Sequence, residues 1–119
     1  MYVYFIRSGY DKKPPIKIGV AKNIERRLNA LQTANPEKLT LIASIECNSR
    51  SEAFNIESYL HSELNNRKIR GEWFTTCMRR VDKIMKKWYT NKELEWGSYC
   101  EERIEDELDI KMLSNDTYT

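Results

Sequence analysis

Residues 49–65 constrain this chain more than any other stretch. Ala53, Ile56, Leu60 and Leu64 recur there at helical spacing and fall on one stripe at about 100° per residue. Ser49 followed by Glu52 forms a capping box that opens such a helix at Arg50 and runs it to residue 65. Glu57 projects into the middle of the stripe, and His61, four residues on, lies at its edge on the same side. A carboxylate on a core-facing stripe costs several kcal/mol unless it has a partner. That partner is a cation, a metal ion or a reacting group. On this helix alone, a structural Arg or Lys is the plainer choice.

The chain has 119 residues, enough for one domain with one modest core. No apolar run approaches the length of a membrane span. Residues 1–6 are apolar but lack a basic leader and a small-residue cleavage site, so they read as a first strand and not a signal peptide. Cys47, Cys77 and Cys100 are odd in number and far apart, which argues for a reducing, cytoplasmic compartment and against a disulfide framework. With His61 they offer a Cys3His zinc set only in principle, because no two stand at ligand spacing. Charge divides the chain. Residues 1–87 carry 17 Lys/Arg against 9 Asp/Glu, and residues 88–119 carry 3 against 9, which recombine to the formal +2. A basic body points to a polyanionic partner, most often nucleic acid.

The coarse order is strand, strand, helix, strand, helix, helix. Residues 2–8 and 16–20 read as a hairpin around a Gly/Asp/Lys/Pro turn. Asn23 caps a helix to about residue 34, with Ile24, Leu28 and Leu31 inward, and Asn35-Pro36 stops it. Residues 39–46 form a third strand, expected to be central because it is nearly continuous in apolar residues. Residues 66–71 read as a basic loop. A third helix follows over residues 78–89, with Val81, Ile84, Met85 and Trp88 on one side. Trp73 and Phe74 are expected to pack as core and close the floor of any site. Residues 90–119 form an acidic tail containing Gly97-Ser98 and a helical stretch over 99–113. Its narrow seam of Ile104, Leu108 and Met112 could dock on the body or pair with another chain, as a homodimer contact or toward a protein partner.

Tyr2-Val3-Tyr4 on the first strand, Lys17-Ile18-Gly19 on the second, Arg27 on the first helix and Glu57 on the second resemble, in order and spacing, the GIY-YIG nuclease superfamily. The similarity is closest to a phage and bacterial branch. Its pattern appears here as YVYFI (residues 2–6), KIG (17–19), Arg27, LQT-x-NP (31–36), Glu57 with His61, and GEWF (71–74). The resemblance spans about residues 1–76. It implies an α+β fold, a small three-stranded, mostly antiparallel sheet flanked by helices. With the third helix included, the domain is expected over residues 1–89, with the acidic helical tail of 90–119 added.

The resemblance also implies a chemistry, a metal-dependent endonuclease hydrolysing phosphodiester bonds, with DNA favoured. Such hydrolysis needs an activated water, charge relief on the phosphoryl oxygens and help for the leaving oxygen. Mg²⁺ or Mn²⁺ takes oxygen ligands, keeps several waters and is held by as little as one carboxylate plus substrate phosphate. Glu57 is the implied metal ligand. Arg27 lies beside the apolar stripe of its helix, placed to fork a phosphate or to pair with Glu57. Arg26 points to the far side and reads as solvated. Tyr4 is implied to act as general base or to orient the water, which requires nearby positive charge from Arg27, Lys17 and the metal to lower its pKa. Lys17 stands where the superfamily has the YIG tyrosine. It can neutralise a phosphate, acidify Tyr4 or protonate a leaving oxygen. His61 can orient Glu57, ligate the metal, carry a proton, or serve structure alone. Glu72 is a second carboxylate or only a loop charge.

Lys12, Lys13, Lys22, Arg67, Lys68 and Arg70 would hold phosphates, which positions nucleic acid without specifying sequence. Two rivals stand beside the endonuclease. One is a non-catalytic nucleic-acid-binding module using the same groove. The other is a phage regulatory or anti-defence protein whose tail engages a host factor. A phage or bacterial source implies the cytoplasm, a eukaryotic one the nucleus.

Overall fold

The computed structural model describes residues 1–10 and 12–89, together with the backbone of residues 96–99. Strands β1 (Tyr2–Ser8) and β2 (Ile16–Ala21) lead into helix α1 (Ile24–Thr33), then β3 (Leu39–Glu46) and α2 (Arg50–Glu63). A 3-10 turn at Asn65–Arg67 enters a short hairpin, β4 (Lys68–Arg70) and β5 (Trp73–Phe74), followed by α3 (Met78–Trp88) and β6 (Trp96–Tyr99). The strands lie in the order β4-β5-β2-β1-β3-β6, every neighbouring pair antiparallel. The fold is α+β, and the three expected strands are its middle.

Three expectations change. First, β1 and β2 occupy the centre, and β3 lies one place out, interior to the sheet and paired on both edges, with β1 and β6. The apolar run of β3 reports cover on both faces: Ala43 and Ile45 join the α2/α3 core, while Leu39 and Leu41 pack on the α1 side. Second, the basic loop contains a strand. All three residues of β4 are exposed, so no apolar alternation betrays it; its pairing with β5 makes it a strand. Third, Gly97-Ser98 lies within β6, which adds to the outer edge of β3. The acidic stretch 99–113 and its seam fall, beyond Tyr99, outside the described residues.

The helices sandwich the sheet. Val3, Phe5, Ile16, Ile18, Ala43 and Ile45 face Ala53, Ile56, Leu60 and Leu64 of the α2 segment and Val81, Ile84 and Met85 of α3. On the other face Tyr4, Ile6, Ala21 and Leu39 are covered by Ile24, Leu28 and Leu31 of α1, with Trp73 alongside. Phe74 is fully buried in the first cluster, so the two aromatics of β5 split between the faces. Period-two alternation along β1 and β2 produces this division and sends Tyr4, Lys17 and Gly19 to the α1 face. No helix among the described residues is long and apolar enough to cross a membrane.

Local chemistry sets the helix starts. The Asn23 side chain accepts from the Arg26 N–H at 3.0 Å. Ser49 Oγ accepts from the Glu52 N–H at 3.0 Å, and Glu52 Oε1 accepts in return from the Asn48 N–H at 2.8 Å, one residue earlier than the usual reciprocal bond.

The LQT-x-NP segment acquires a role. Gln32 Nε2 donates to the Asn35 and Glu37 carbonyls at 3.2 and 2.9 Å, and its Oε1 accepts from the Leu39 N–H at 2.8 Å. One side chain thus ties the end of α1 to the start of β3. Gln32→Ala removes three bonds, two of them on partly buried groups. It should lower unfolding free energy by about 1–3 kcal/mol in a urea titration followed by circular dichroism. A loss indistinguishable from zero would mean that water replaces the amide.

Candidate active site

The site forms where the sheet opens. Strand β5 pairs with β2 only at Ile16 and Lys17, and the ladder's last bond on that side runs from the Ile18 N–H to the Glu72 carbonyl at 3.0 Å. The Ile18 carbonyl, which continued pairing would have used, meets His61 Nε2 at 3.0 Å instead. A carbonyl only accepts, so Nε2 carries the hydrogen and Nδ1 is the nitrogen left over. The ring edge of His61 packs on Phe74 at a centroid distance of 4.9 Å. His61 therefore seals the ladder where β5 departs.

Tyr4 stands opposite Gly19 in the β1–β2 register. A Cβ added at Gly19 would sit on the phenol Oη, 2.5 Å from Tyr4 Cζ and 3.1 Å from Glu72 Oε1. Only glycine lets the ring and the Glu72 carboxylate approach the strand so closely. Tyr4 is fully buried, and its hydroxyl makes no well-formed hydrogen bond among the described residues, although the Arg27 guanidinium approaches it as a donor. Such a group is costly and calls for an explanation in a ligand, a water or an ion.

Four charged side chains surround that hydroxyl. Glu72, at the tip of the β4–β5 hairpin just after Gly71 (φ +56°), holds Lys17 Nζ at 2.8 Å from Oε1. Lys17 also lies 5.9 Å from the Trp73 ring centroid. Glu57 is half-buried at the border of the core, not in the middle of its stripe. Its pKa is raised by burial first and by the Glu72 carboxylate second, and the two carboxyls are close enough for a proton to bridge them. His61 and Lys17 oppose that shift without cancelling it. No Lys or Arg among the described residues pairs with Glu57 at ion-pair distance. Arg27 is exposed and acts on Tyr4, favouring the phenolate.

The acidification expected of Tyr4 is to come from Arg27, Lys17 and a metal together, and the protein's own groups by themselves act the other way. Its pKa is pushed up to about 12, by burial first, then by Glu72 and, more weakly, Glu57, against Arg27. Lys17 is taken up in its ion pair with Glu72 at 2.8 Å. Sequence reasoning counted the cations near the phenol; it could not weigh burial or the second carboxylate.

Tyr4, Lys17, Arg27 and Glu57 thus converge on one place, with His61 behind them. The phosphate-binding set does not converge. Lys12 and Lys13 lie in the β1–β2 loop and Lys22 just beyond the far end of β2, with the whole strand, roughly 20 Å of extended chain, between them. Lys68 and Arg70 line the exposed edge strand β4, with Arg67 half-buried before it. Glu72 and Gly19 are the residues whose function the sequence left open. Both follow from register: Gly19 from its pairing with Tyr4, Glu72 from β5 lying beside Lys17.

A hard divalent cation suits the donors present. Two neighbouring carboxyls and a buried phenol oxygen are all oxygen groups, enough for an ion that keeps much of its water. Among the described residues no three His, Cys, Asp or Glu come together as a metal-holding group, so an ion here would rest on two carboxyls and its own waters, and Cys47 and Cys77 are free thiols. The sequence model of a family described as the T5orf172 domain matches residues 1–89. No curated protein and no solved structure matches the chain.

Proposed function

The chain belongs to the T5orf172 domain family, and on that footing we propose that it is a GIY-YIG-type, metal-dependent endonuclease that hydrolyses phosphodiester bonds in nucleic acid, DNA foremost. The observation that carries the reading is the buried Tyr4 hydroxyl, without a well-formed hydrogen bond, set among Glu57, Glu72, Lys17 and Arg27. Structural economy alone would satisfy or delete that hydroxyl. A site that must meet a phosphate and an activated water has reason to keep it. Bound Mg²⁺ or Mn²⁺ would supply charge relief at the phosphoryl oxygens and a more acidic water.

The chain's own residues have separable roles. Glu57 anchors the cation. Arg27, exposed on α1, presents a forked pair of donors to a phosphate oxygen without leaving solvent. Tyr4 orients the attacking water or takes its proton, and the latter requires that the negative charge of Glu72 and Glu57 be neutralised first, since both hold the phenol protonated. Lys17 is already oriented into the site and serves the phosphate or the leaving oxygen. Lys68 and Arg70 on β4, with Lys12, Lys13, Lys22 and Arg67, hold the flanking phosphates.

One observation favours a second reading. Lys17 is tied to Glu72 and Tyr4 is held protonated, which is how a retired site used only for binding would also look. Cleavage decides. Labelled duplex, branched and single-stranded substrates are incubated with Mg²⁺, Mn²⁺ or chelator. Metal-dependent cleavage is expected, slowed about 10²-fold or more by Glu57→Ala. Circular dichroism should find that variant folded and no less stable, since the change removes a like-charge neighbour of Glu72. Full activity in folded Glu57→Ala would remove the metal-ligand role. Binding without cleavage by the unmodified chain would establish the non-catalytic module.

A further inference from the structure

We propose that Glu72 is the second carboxylate of the cation site: Glu57 and Glu72 hold the divalent ion together, and the Lys17 ammonium stands in for it at Glu72 until it binds. This rests on the reading of Glu57 as a metal ligand and extends it to a residue on a different element.

Glu72 is placed too firmly to be a loop charge. Its backbone carbonyl ends the β2 ladder, the left-handed Gly71 turns the hairpin immediately before it, and Oε1 points inward to Lys17. The same Oε1 sits within 3.1 Å of the point where a Gly19 Cβ would stand, beside Tyr4 Oη. The space between β2, α2 and the hairpin tip is therefore bounded by two carboxyls and a phenol oxygen. The phenol is fully buried without a well-formed hydrogen bond, and the acidic pair is set beside it.

Charge balance points the same way. Two neighbouring carboxylates carry two negative charges, and Lys17 supplies one positive charge, to Glu72 at 2.8 Å. A divalent ion supplies both. Its water shell would give the Tyr4 hydroxyl the well-formed hydrogen bond it lacks, and it would release Lys17 toward a phosphate. The nearness of Glu57 to Glu72 suits two ligands of one small cation.

The competing explanation is that Glu72 only positions Lys17. A double-mutant cycle on Mn²⁺ affinity separates the two. Free Mn²⁺ is followed by electron paramagnetic resonance as it is titrated into the full chain without nucleic acid, and circular dichroism confirms each variant folded. The unmodified chain should bind one Mn²⁺, and Lys17→Met should bind it more tightly, having lost the competing ammonium. Glu72→Gln should weaken binding about tenfold or more, and should do so at least as strongly in the Lys17→Met background, where no ammonium competes for the carboxylate. If the Glu72→Gln effect vanishes in that background, Glu72 acts only through Lys17 and the proposal fails, while the role of Glu57 stands. If Glu57→Gln leaves Mn²⁺ affinity unchanged, the single-ion reading fails with it.

Discussion

Gly19→Ala should disable the site and weaken the fold together. The added methyl group would lie on the Tyr4 hydroxyl and 2.5 Å from Cζ, a separation that real side chains do not adopt. Relief is difficult to find. Tyr4 is fully buried under α1 among Ile6, Ala21 and Leu39, so the ring cannot swing into solvent. The backbone is pinned by the β1–β2 register and by the Ile18 bonds to Glu72 and His61. Overpacking of this kind costs on the order of 3 kcal/mol. Displacing the phenol by even about 1 Å should slow cleavage roughly 10²-fold. Denaturant unfolding and a cleavage assay report the two effects. In a Tyr4→Leu background the ring is gone, and the stability cost of Gly19→Ala should fall by about 1 kcal/mol or more. A Gly19→Ala protein as stable and active as the original would show that the ring does not rest on the strand.

The legible parts of this fold share a cause. The α2 stripe, the Asn23 and Ser49 caps and the β1–β2 hairpin are set by residues a few positions apart, and local spacing reveals them. What sequence hid depends on pairing between distant segments. Lys68, Ile69 and Arg70 are too few and too exposed for their period to signal a strand, and they become one only because β5 lies beside them. Glu72 becomes a site residue only because β5 borders β2 at Lys17, and His61 becomes a ladder seal only because β5 stops there. Glu57 was legible as an anomaly on its helix, but its neighbour was not. The expected partner was a cation, a metal ion or a reacting group; the structure sets a second carboxylate near Glu57, with His61 and Lys17 acting against it, which turns a question about stability into one about ligands.

Tyr4→Phe should separate function from stability in the opposite sense. The substitution removes one oxygen and keeps the ring in its place over Gly19. That oxygen is buried without a well-formed hydrogen bond, so its loss relieves a desolvation cost and should stabilise the fold by about 1 kcal/mol. In a domain of this size that corresponds to roughly 4 °C in Tm. Cleavage should fall about 10²-fold or more if the phenol handles the water or its proton. The pH dependence adds an independent check. The folded-state pKa of Tyr4, about 12, lies above the ordinary value of 10.0. The folded state therefore favours the protonated phenol. Stability from this source is fully present below about pH 10 and is lost as pH rises toward 12. The Phe variant has no such titration, so its advantage should widen across that interval. Thermal melts from neutral to alkaline pH, run beside single-turnover cleavage, test all three expectations. A variant that is less stable would mean that the hydroxyl has a partner after all, and one that cleaves normally would take the phenol out of the mechanism.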